Sequence, residues 1–229
     1  MKWWGLVKGN RAQFDTDIVA KLFSPAFKPK NTRELFLAYA NSHYVMFRET
    51  TVLALSAIGT VHYFGKCQGN VNANPIVDGD RPPQCQPFED SERPPSIQPA
   101  PEGVERARRG SNRVAFGNYR FVLLMENVYV DGYVSEKIVD GFLSGTVLIY
   151  YGTRQVFDIF NPRAFVYYDP ENPQEAIDQI SRLEEVPEEY QRMLDEPILA
   201  DGERTIEKYF SFEDGIGYGQ LKRRVRQMM

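Results

Sequence analysis

The chain has 229 residues, of which 42% are hydrophobic and 13% aromatic, so it can bury a substantial core and is globular rather than disordered. Its formal net charge of −4 does not suit a general nucleic-acid binder, which needs clustered lysines and arginines to contact phosphates. No apolar run approaches the roughly 20 residues that cross a bilayer, and the opening MKWWGLVKGN lacks the apolar core of a signal peptide, so the sequence as it stands predicts a soluble chain.

The first predicted elements alternate between extended and helical patterns. The stretch TRELFLAYA (32–40) is apolar enough for a buried strand or a short helix, and periodicity alone does not separate the two. Apolar positions at helical spacing predict a helix from Val45 to Ile58, and Gly59 suits the position just after its end. The stretch TVHYF (60–64) then predicts a short strand.

From Lys66 to about Gly110 the composition shifts to proline, glycine, asparagine and glutamine. Such a stretch cannot bury enough apolar area to order itself well. We therefore expect a Pro-rich surface insertion at about 71–110, largely exposed and removable, rather than a separate domain.

Cys67 and Cys85 are the two cysteines of the chain. They are not in CxxC spacing, and His43 and His62 show no ligand pattern with them, so the sequence predicts no metal site here. Two free thiols are the favoured interpretation. A disulfide that pins the intervening loop is the alternative, and it requires an oxidising compartment.

The clearest pattern lies in the middle of the chain. FVLLM (121–125) and TVLIYY (146–151) are short, nearly continuous apolar runs, as expected of strands that are covered on both faces. Between them, YVSEKIVDGFLS has apolar residues at helical spacing and is followed by Gly145. A strand, a helix and a strand predict a βαβ unit, with parallel strands and a right-handed crossover.

The C-terminal part continues the same alternation. AFVYY (164–168) predicts a further strand. Asn172 and Pro173 are expected to open a helix that runs through Leu183, and Pro187 to open another. The elements together predict an α/β fold built on a parallel sheet.

The loop that follows the predicted strand 121–125 carries several polar side chains and leads into a helix N-terminus. Ligands bind beyond the carboxyl ends of the strands in an open parallel sheet, and a helix N-terminus attracts phosphate. Lys137 would add a positive charge, and Asn127 offers a donor and an acceptor. Glu136 suits sugar hydroxyls, and Tyr133 can present a ring or a hydroxyl. These groups suit a sugar nucleotide, whereas a solvated Glu–Lys pair on a helix surface is the alternative.

The region ENVYVDGYVSEKIVDGFLSGTVLIYYGTRQVFDIFNPRAFVYYD resembles the signature region of the α1,3/α1,4-fucosyltransferases, glycosyltransferase family 10. The matching pieces are MEN, YVSEK, TVLIYYG and NPRAFVYYD, in the order and spacing of the family. The departures are mild: Met125, Ser135, Leu148 and Ala164 replace the residues typical of the family. Upstream, ANSHYVMFRETTVLAL, VHYFGKCQGN and NRAQFDTDI are similar to further segments of the family, so the resemblance covers most of the chain.

The resemblance implies a Rossmann-like domain that forms the C-terminal half of a GT-B glycosyltransferase fold and binds GDP-fucose. It implies that fucose is transferred, with inversion, to a hydroxyl of an N-acetylglucosamine- or glucose-containing glycan. Arg48 would contact the diphosphate, Asn127 and Lys137 would hold the phosphates and the fucose side, Glu136 would bind ribose or sugar hydroxyls, and Tyr133 would line the pocket. Because these groups can neutralise a leaving diphosphate, no metal and no cofactor other than the GDP-fucose donor is expected.

The resemblance also divides the chain. Residues 1–44 are expected to be a residual N-terminal segment with its first strand, and residues 45–229 the GDP-fucose-binding domain. The acceptor domain of the family, which supplies the general base, would precede NRAQFDTDI, where only nine residues stand. The acceptor domain is therefore expected to be missing and the base cannot be assigned, since Asp15 and Asp17 lie in a family segment of unclear role.

Two alternative functions remain open at this point: a non-catalytic module that binds a sugar nucleotide, and a GT-B glycosyltransferase that uses another nucleotide sugar. The resemblance implies a Golgi location and membrane association, since eukaryotic family members are Golgi proteins with an N-terminal anchor. Without that inference, the chain would be soluble and cytoplasmic.

Overall fold

The computed structural model describes residues 34–104 and 112–210 of the chain. Asp15, Asp17 and the rest of residues 1–33 lie outside the described residues, as do 105–111 and 211–229. Within the described part, no helix combines the length and the apolar character that a membrane span requires.

The described residues form a six-stranded sheet in which every strand is parallel to its neighbours. The strands are β1 (Leu35–Tyr39), β2 (Val61–Tyr63), β3 (Ile97–Pro99), β4 (Tyr119–Met125), β5 (Val147–Tyr151) and β6 (Phe165–Tyr167). Their order across the sheet is β3-β2-β1-β4-β5-β6, so the chain winds outward in both directions from the β1–β4 pair. The predicted α/β fold with a Rossmann-like parallel sheet is confirmed.

Helices cover both faces of this sheet. They are α1 (Met46–Leu55), α2 (Arg113–Phe116), α3 (Glu136–Ser144), α4 (Gln174–Glu185), α5 (Pro187–Asp195) and α6 (Gly202–Tyr209), with a 3₁₀ helix at Arg154–Asp158. Helices α1, α4 and α5 pack with one face of the sheet, and α2, α3 and α6 with the other. Helix α1 follows β1 and helix α3 follows β4, so the helices that come after the two central strands lie on opposite faces of the sheet.

The stretch for which the sequence left strand and helix open is a central strand. Leu37, Ala38 and Tyr39 of β1 are fully buried, and the strand pairs with β2 on one side and β4 on the other. A central strand of a doubly covered sheet is apolar on both faces, which is why its sequence shows no alternation.

Helix α3 has well-defined ends. Ser135 caps its N-terminus by accepting a hydrogen bond from the Lys137 backbone N–H, and Gly145 after its last residue has a φ of 70°, a left-handed conformation that favours glycine. A Cβ atom at Gly141 would collide with the side chains of Leu124 and Leu148. This glycine therefore allows α3 to lie close to β4 and β5.

The expectation that residues 71–110 are merely an exposed insertion is wrong for part of that segment. Ile97 is 1% exposed and opens β3, which pairs in parallel with β2 at the edge of the sheet. Cys85 is also buried. The prediction from composition was wrong here because three strand residues and one disulfide are enough to attach a segment of otherwise polar composition to the domain.

Cys67 and Cys85 form a disulfide bond, so the favoured prediction of two free thiols is wrong and the alternative is correct. The two Cα atoms lie 5.0 Å apart, and both cysteines are buried within the cluster that includes Val52 and Ile97. The bond ties the segment after β2 to the loop before β3.

Candidate functional site

The candidate site lies at the carboxyl ends of β1 and β4, where the direction of winding reverses. Crevices at this point of a doubly wound sheet are the usual ligand sites, because the connections that follow the two strands separate to opposite faces. Here the first residues of α1 and the loop 126–135 flank that crevice. The five residues predicted from the sequence all belong to these two segments or to the first turn of α3.

Two cationic side chains converge on the end of β4. Arg48 of α1 donates from Nη2 to the carbonyl oxygen of Met125 and to Oδ1 of Asn127, each at 2.5 Å. Lys137 of α3 approaches from the other face, with Nζ 3.3 Å from the same carbonyl oxygen and 3.1 Å from Asn127 Oδ1. Two positive charges are therefore held together at the crevice by acceptors from a single strand end.

Glu126 lies directly beneath this pair and is fully buried. Its carboxylate accepts from the Ser135 backbone N–H (2.8 Å), from the Ser135 hydroxyl (2.7 Å), from Lys137 Nζ (3.1 Å) and from the Tyr150 hydroxyl (3.2 Å). A buried carboxylate is tolerated when its lone pairs and charge are matched in this way. Glu126 thus joins β4, β5 and the start of α3 and fixes the position of the Lys137 ammonium group.

The electrostatics of the two cations follow from their burial. Burial lowers the pKa of Lys137, the Glu126 carboxylate opposes that shift, and the positive charge of Arg48 lowers the pKa further. Burial likewise lowers the pKa of Arg48, against the opposing effect of neighbouring acidic groups such as Glu126. An additional negative charge in the crevice would therefore stabilise the protonated forms of both side chains.

The position of Arg48 is stabilised by the contacts of the next residue, Glu49. Glu49 is buried and accepts hydrogen bonds from the Tyr39 hydroxyl (2.6 Å) and from the backbone N–H of Gly69 (2.7 Å). These contacts tie α1 to β1 and to the segment closed by the disulfide. Burial raises the pKa of the Glu49 carboxyl, and these hydrogen bonds oppose the shift. The first turn of α1, and with it Arg48, is held in a fixed place.

Tyr133 and Glu136 border the cluster without joining its hydrogen-bond network. Glu136, the first residue of α3, is exposed, and no described residue contacts its carboxylate by a hydrogen bond or an ion pair. Tyr133 is half-buried, and its pKa is raised by burial first and then by the charges of Glu126 and Glu136. Both side chains remain available to a ligand at the rim of the crevice.

The N-terminus of α3 has fewer free backbone N–H groups for a phosphate than the sequence suggested. The Ser135 N–H already donates to Glu126, and the Lys137 N–H to the Ser135 side-chain oxygen (3.4 Å). The Glu126 carboxylate and the Ser135 hydroxyl oxygen therefore already accept from the two N–H groups that a phosphate was expected to meet. The positively charged groups at the crevice are then the side chains of Lys137 and Arg48.

Sequence reasoning missed the supporting residues Glu126, Ser135 and Glu49. The signal for Glu126 was its place directly after five apolar strand residues, where a carboxylate is buried unless the chain turns outward. Glu49 gave no such signal, because its partners Tyr39 and Gly69 are distant in sequence.

One group of three potential metal ligands occurs among the described residues: Glu49, Cys67 and Cys85, whose ligand atoms lie within 4.8 Å of one another. The two sulfur atoms are joined in the disulfide and are therefore not thiolates. This group does not fit a metal ion.

Comparison with known proteins identifies the family. Residues 28–195 match the sequence model of glycosyltransferase family 10 (fucosyltransferase), C-terminal region. The chain belongs to this family. This is a family of glycosyltransferases. The matched region includes all five predicted site residues, whose individual roles remain predictions.

Two proteins named as fucosyltransferases are similar to part of the chain. The chain is 41% identical over 103 residues to the α-(1,3)-fucosyltransferase FucT of Helicobacter pylori, an alignment that covers 44% of this chain and 22% of that protein. It is 26% identical over 140 residues to the α-(1,4)-fucosyltransferase of Arabidopsis thaliana, which covers 60% of this chain and 31% of that protein.

A solved α1,3-fucosyltransferase structure agrees with the fold. An α1,3-fucosyltransferase crystallised with GDP superimposes with a TM-score of 0.51 at 25% identity, over 80% of this chain and 44% of that chain. The expected relationship to half of a GT-B glycosyltransferase is thereby confirmed for the Rossmann-like domain. The alignments span less than half the length of each of these three relatives.

Proposed function

We propose that this chain is the donor-binding part of an inverting fucosyltransferase and that its crevice binds GDP-fucose. The observation that carries the proposal is the convergence of Arg48 and Lys137 at the end of β4, between the two central strands of the sheet. Two cations at that place suit a diphosphate, which bears its charge on adjacent groups. The related α1,3-fucosyltransferase crystallised with GDP supports guanosine diphosphate as the nucleotide part.

The cluster also has unused hydrogen-bonding capacity. Arg48 Nε is buried, and no acceptor among the described residues reaches it. Lys137 directs its ammonium group at three acceptors, of which Asn127 Oδ1 is on an exposed side chain that can turn away. A phosphate oxygen that takes the place of Asn127 Oδ1 would meet both cations at once.

The proposed reaction is a displacement at the anomeric carbon of fucose. The oxygen of an acceptor hydroxyl forms a bond to that carbon, the bond from that carbon to the diphosphate oxygen breaks, and GDP leaves with the bonding electrons. The hydroxyl proton passes to a general base, a role that no described residue has been assigned. Lys137 and Arg48 stabilise the charge that develops on the leaving diphosphate, and such preorganised charge is typically the largest contribution to catalysis.

Glu136 and Tyr133 are proposed to bind the sugar side of the donor. Glu136 is exposed at the start of α3, next to the cations, and can accept from two hydroxyl groups. The proposed acceptor is an N-acetylglucosamine- or glucose-containing glycan, and the support for it is membership of family 10.

Calorimetry and a transfer assay test the proposal. Titration of the purified chain with GDP-fucose, GDP-mannose and UDP-galactose should give the strongest binding for GDP-fucose. Incubation with GDP-fucose and N-acetyllactosamine, followed by mass spectrometry, measures transfer directly. Because the chain is proposed to be the donor-binding part, binding of GDP-fucose with little or no transfer agrees with the proposal. Preference for a UDP-sugar would identify a different glycosyltransferase, and failure to bind any of the three nucleotides would remove the donor site; either result overturns the proposal.

We further propose that the chain works in an oxidising compartment, such as the Golgi lumen. The disulfide between Cys67 and Cys85 supports this, since disulfides persist mainly in secretory and other oxidising compartments. Thiol labelling of the unfolded chain after isolation without reductant should leave both cysteines unmodified. Quantitative labelling of both would contradict the proposed compartment.

A further inference from the structure

A cavity lies at the amino edge of the sheet, at the opposite end from the crevice that holds Arg48 and Lys137. It has a volume of about 410 Å³ and is bounded by α4, α5 and the loop before β6. Arg120, near the start of β4, donates from Nε to Glu184 near the end of α4 at 2.6 Å, which places this part of α4 at the amino edge. The cavity is therefore separate from the proposed donor site.

Three arginine side chains from three different segments line this cavity. Arg182 belongs to α4, Arg192 to α5, and Arg163 to the loop before β6. Their side chains are 68%, 74% and 75% exposed, so the guanidinium groups are accessible from solvent. Leu183 and Met193 also line the cavity, and both are buried. An apolar surface is therefore bordered by three positive charges.

A carboxylate holds two of these arginines in place. Glu189 accepts from Nε and from Nη2 of Arg182, each at 2.5 Å, which is the two-point geometry that suits a guanidinium and a carboxylate. Nη2 of Arg192 lies 3.5 Å from Oε1 of the same carboxylate, and Nε of Arg192 donates to the Glu188 carbonyl oxygen at 3.3 Å. Arg182 and Arg192 are thus kept close together.

A second carboxylate orients the third arginine. Oε2 of Glu196 lies 3.0 Å from Nη2 of Arg163 and accepts from Nδ2 of Asn161 at 3.0 Å. The Arg163 backbone N–H in turn donates to Oδ1 of Asn161 at 3.1 Å. Arg163 is therefore fixed at both its backbone and its side chain.

The cavity retains positive charge and hydrogen-bond donors for a ligand. Its lining includes three guanidinium groups and two carboxylates, so one positive charge is in excess. A guanidinium has five N–H donors, and the contacts with Glu189 use two of those of Arg182. Guanidinium groups match the oxygens of phosphate and similar oxyanions in pairs. The arrangement therefore suits an oxyanion.

The size and the remaining lining indicate a ligand larger than a bare oxyanion. Small-molecule sites have volumes of about 300–1,000 Å³, and this cavity falls in that range. Gln179 offers an amide donor and an acceptor, and Glu196 offers carboxylate oxygens that accept from hydroxyl groups. A sugar that carries an anionic group combines the two kinds of chemistry.

We propose that this cavity binds a sugar-sized molecule that bears a phosphate or sulfate group. The guanidinium groups of Arg163, Arg182 and Arg192 hold the oxyanion, and Gln179 and Glu196 bind hydroxyl groups. The site shares no residue with the crevice between β1 and β4, so it is a second binding site and does not depend on the proposed donor.

The test is an NMR titration of the ¹⁵N-labelled chain with glucose 6-phosphate and with glucose 6-sulfate, in excess GDP so that the proposed donor site is occupied. Signals from α4 and α5 should shift and saturate with at least one ester, and the tighter ester identifies the preferred group. Inorganic phosphate, inorganic sulfate and glucose should each bind at least about fivefold more weakly, because each lacks part of the ligand.

Arginine variants tie this binding to the cavity. Arg163→Gln and Arg192→Gln, at mostly exposed side chains, should each weaken ester binding by about fivefold or more and leave GDP affinity unchanged. Arg81→Gln is the matched control, since Arg81 is 73% exposed and pairs with Asp78 at 2.9 Å; it should change neither affinity.

Three results would overturn the inference. These are unchanged ester affinity in both cavity variants, an equal loss in Arg81→Gln, and equal affinity of the parent for the esters and the inorganic anions. Failure of the parent to bind GDP would overturn the proposed function alone, because the cavity variants would still decide whether the esters bind at this cavity.

Discussion

Arg48 and Lys137 donate to the same oxygen atom, Oδ1 of Asn127, at 2.5 and 3.1 Å. The two cations come from helices on opposite faces of the sheet, so their meeting depends on the strand order and on where β4 ends. Of the two positive charges, that of Lys137 is paired with the Glu126 carboxylate, and Asn127 Oδ1 is neutral. These four groups therefore carry a net positive charge that an anionic ligand can complement.

Replacing that amide by a carboxylate should weaken nucleotide binding without weakening the fold. In Asn127→Asp the new carboxylate would pair with both cations and repel a diphosphate, so we expect GDP affinity to fall by at least about tenfold. The free energy of unfolding should not decrease, because the internal ion pairs become stronger. Calorimetry and urea unfolding measure the two quantities, and Asn74→Asp, at an exposed position, is the control. Unchanged GDP affinity would show that the diphosphate does not approach Asn127.

Lys137→Ala should lower both the affinity for GDP and the free energy of unfolding, and the two effects have different causes. Loss of a charge-assisted contact to phosphate should cost about 1.5–3 kcal/mol of GDP binding free energy. The variant also leaves the buried carboxylate of Glu126 without its cation, which destabilises the fold.

The double variant Lys137→Ala/Glu126→Gln separates the two effects. Neutralising the buried carboxylate should recover part of the lost unfolding free energy but none of the GDP affinity. Lys66→Ala, at an exposed lysine, should change neither quantity. If Lys137→Ala bound GDP as tightly as the parent, Lys137 would be only a structural partner of Glu126.

GDP affinity should depend on pH through Lys137. Burial and the charge of Arg48 lower the pKa of the Lys137 ammonium in the free protein, whereas a bound diphosphate favours the protonated form. Binding is therefore accompanied by proton uptake, and affinity should fall as pH rises through the lowered pKa, before an ordinary lysine would titrate. Tyr133 does not add to this decline, since burial raises its pKa.

Calorimetric titrations between about pH 7.5 and pH 10 measure the dependence, at pH values where the nucleotide phosphates are already ionised. In Lys137→Arg the guanidinium stays protonated over this range, so the decline should disappear. A decline of the same size in that variant would assign it to another group.

The segment 71–110 should tolerate removal of its tip but not of its whole length. Residues 77–82 are exposed and lie within a turn closed by paired backbone hydrogen bonds between Ile76 and Gln84, both of 2.9 Å. Replacing 77–82 by a short Gly-Ser linker should change the unfolding free energy by less than about 0.5 kcal/mol.

Deleting 71–110 entirely removes β3 and breaks the disulfide, which closes a loop with a sequence separation of 18. Loss of a disulfide of this span alone corresponds to about 3 kcal/mol. Soluble, cooperatively folding protein after the full deletion would mean that β3 and the disulfide contribute little to the fold.

The sequence by itself determined the order and type of most elements, because they depend on local pattern. The apolar runs of β4 and β5, with a capped amphipathic helix between them, have a βαβ connection as their simplest arrangement. The motif MEN…YVSEK also placed Asn127, Tyr133, Glu136 and Lys137 at one strand end, since a few residues of loop cannot carry them far from β4.

Only the tertiary structure decided how the distant parts meet. Nothing local brings Arg48 to Asn127, because that contact follows from β1 lying beside β4 in the sheet. The same holds for the disulfide and for β3, whose burial depends on partners from other segments rather than on the polar composition around them. Glu126 is the clearest example. Its role depends on the positions of Ser135, Lys137 and Tyr150 around its carboxylate, and hydrogen-bond geometry of that kind is set by the packed fold.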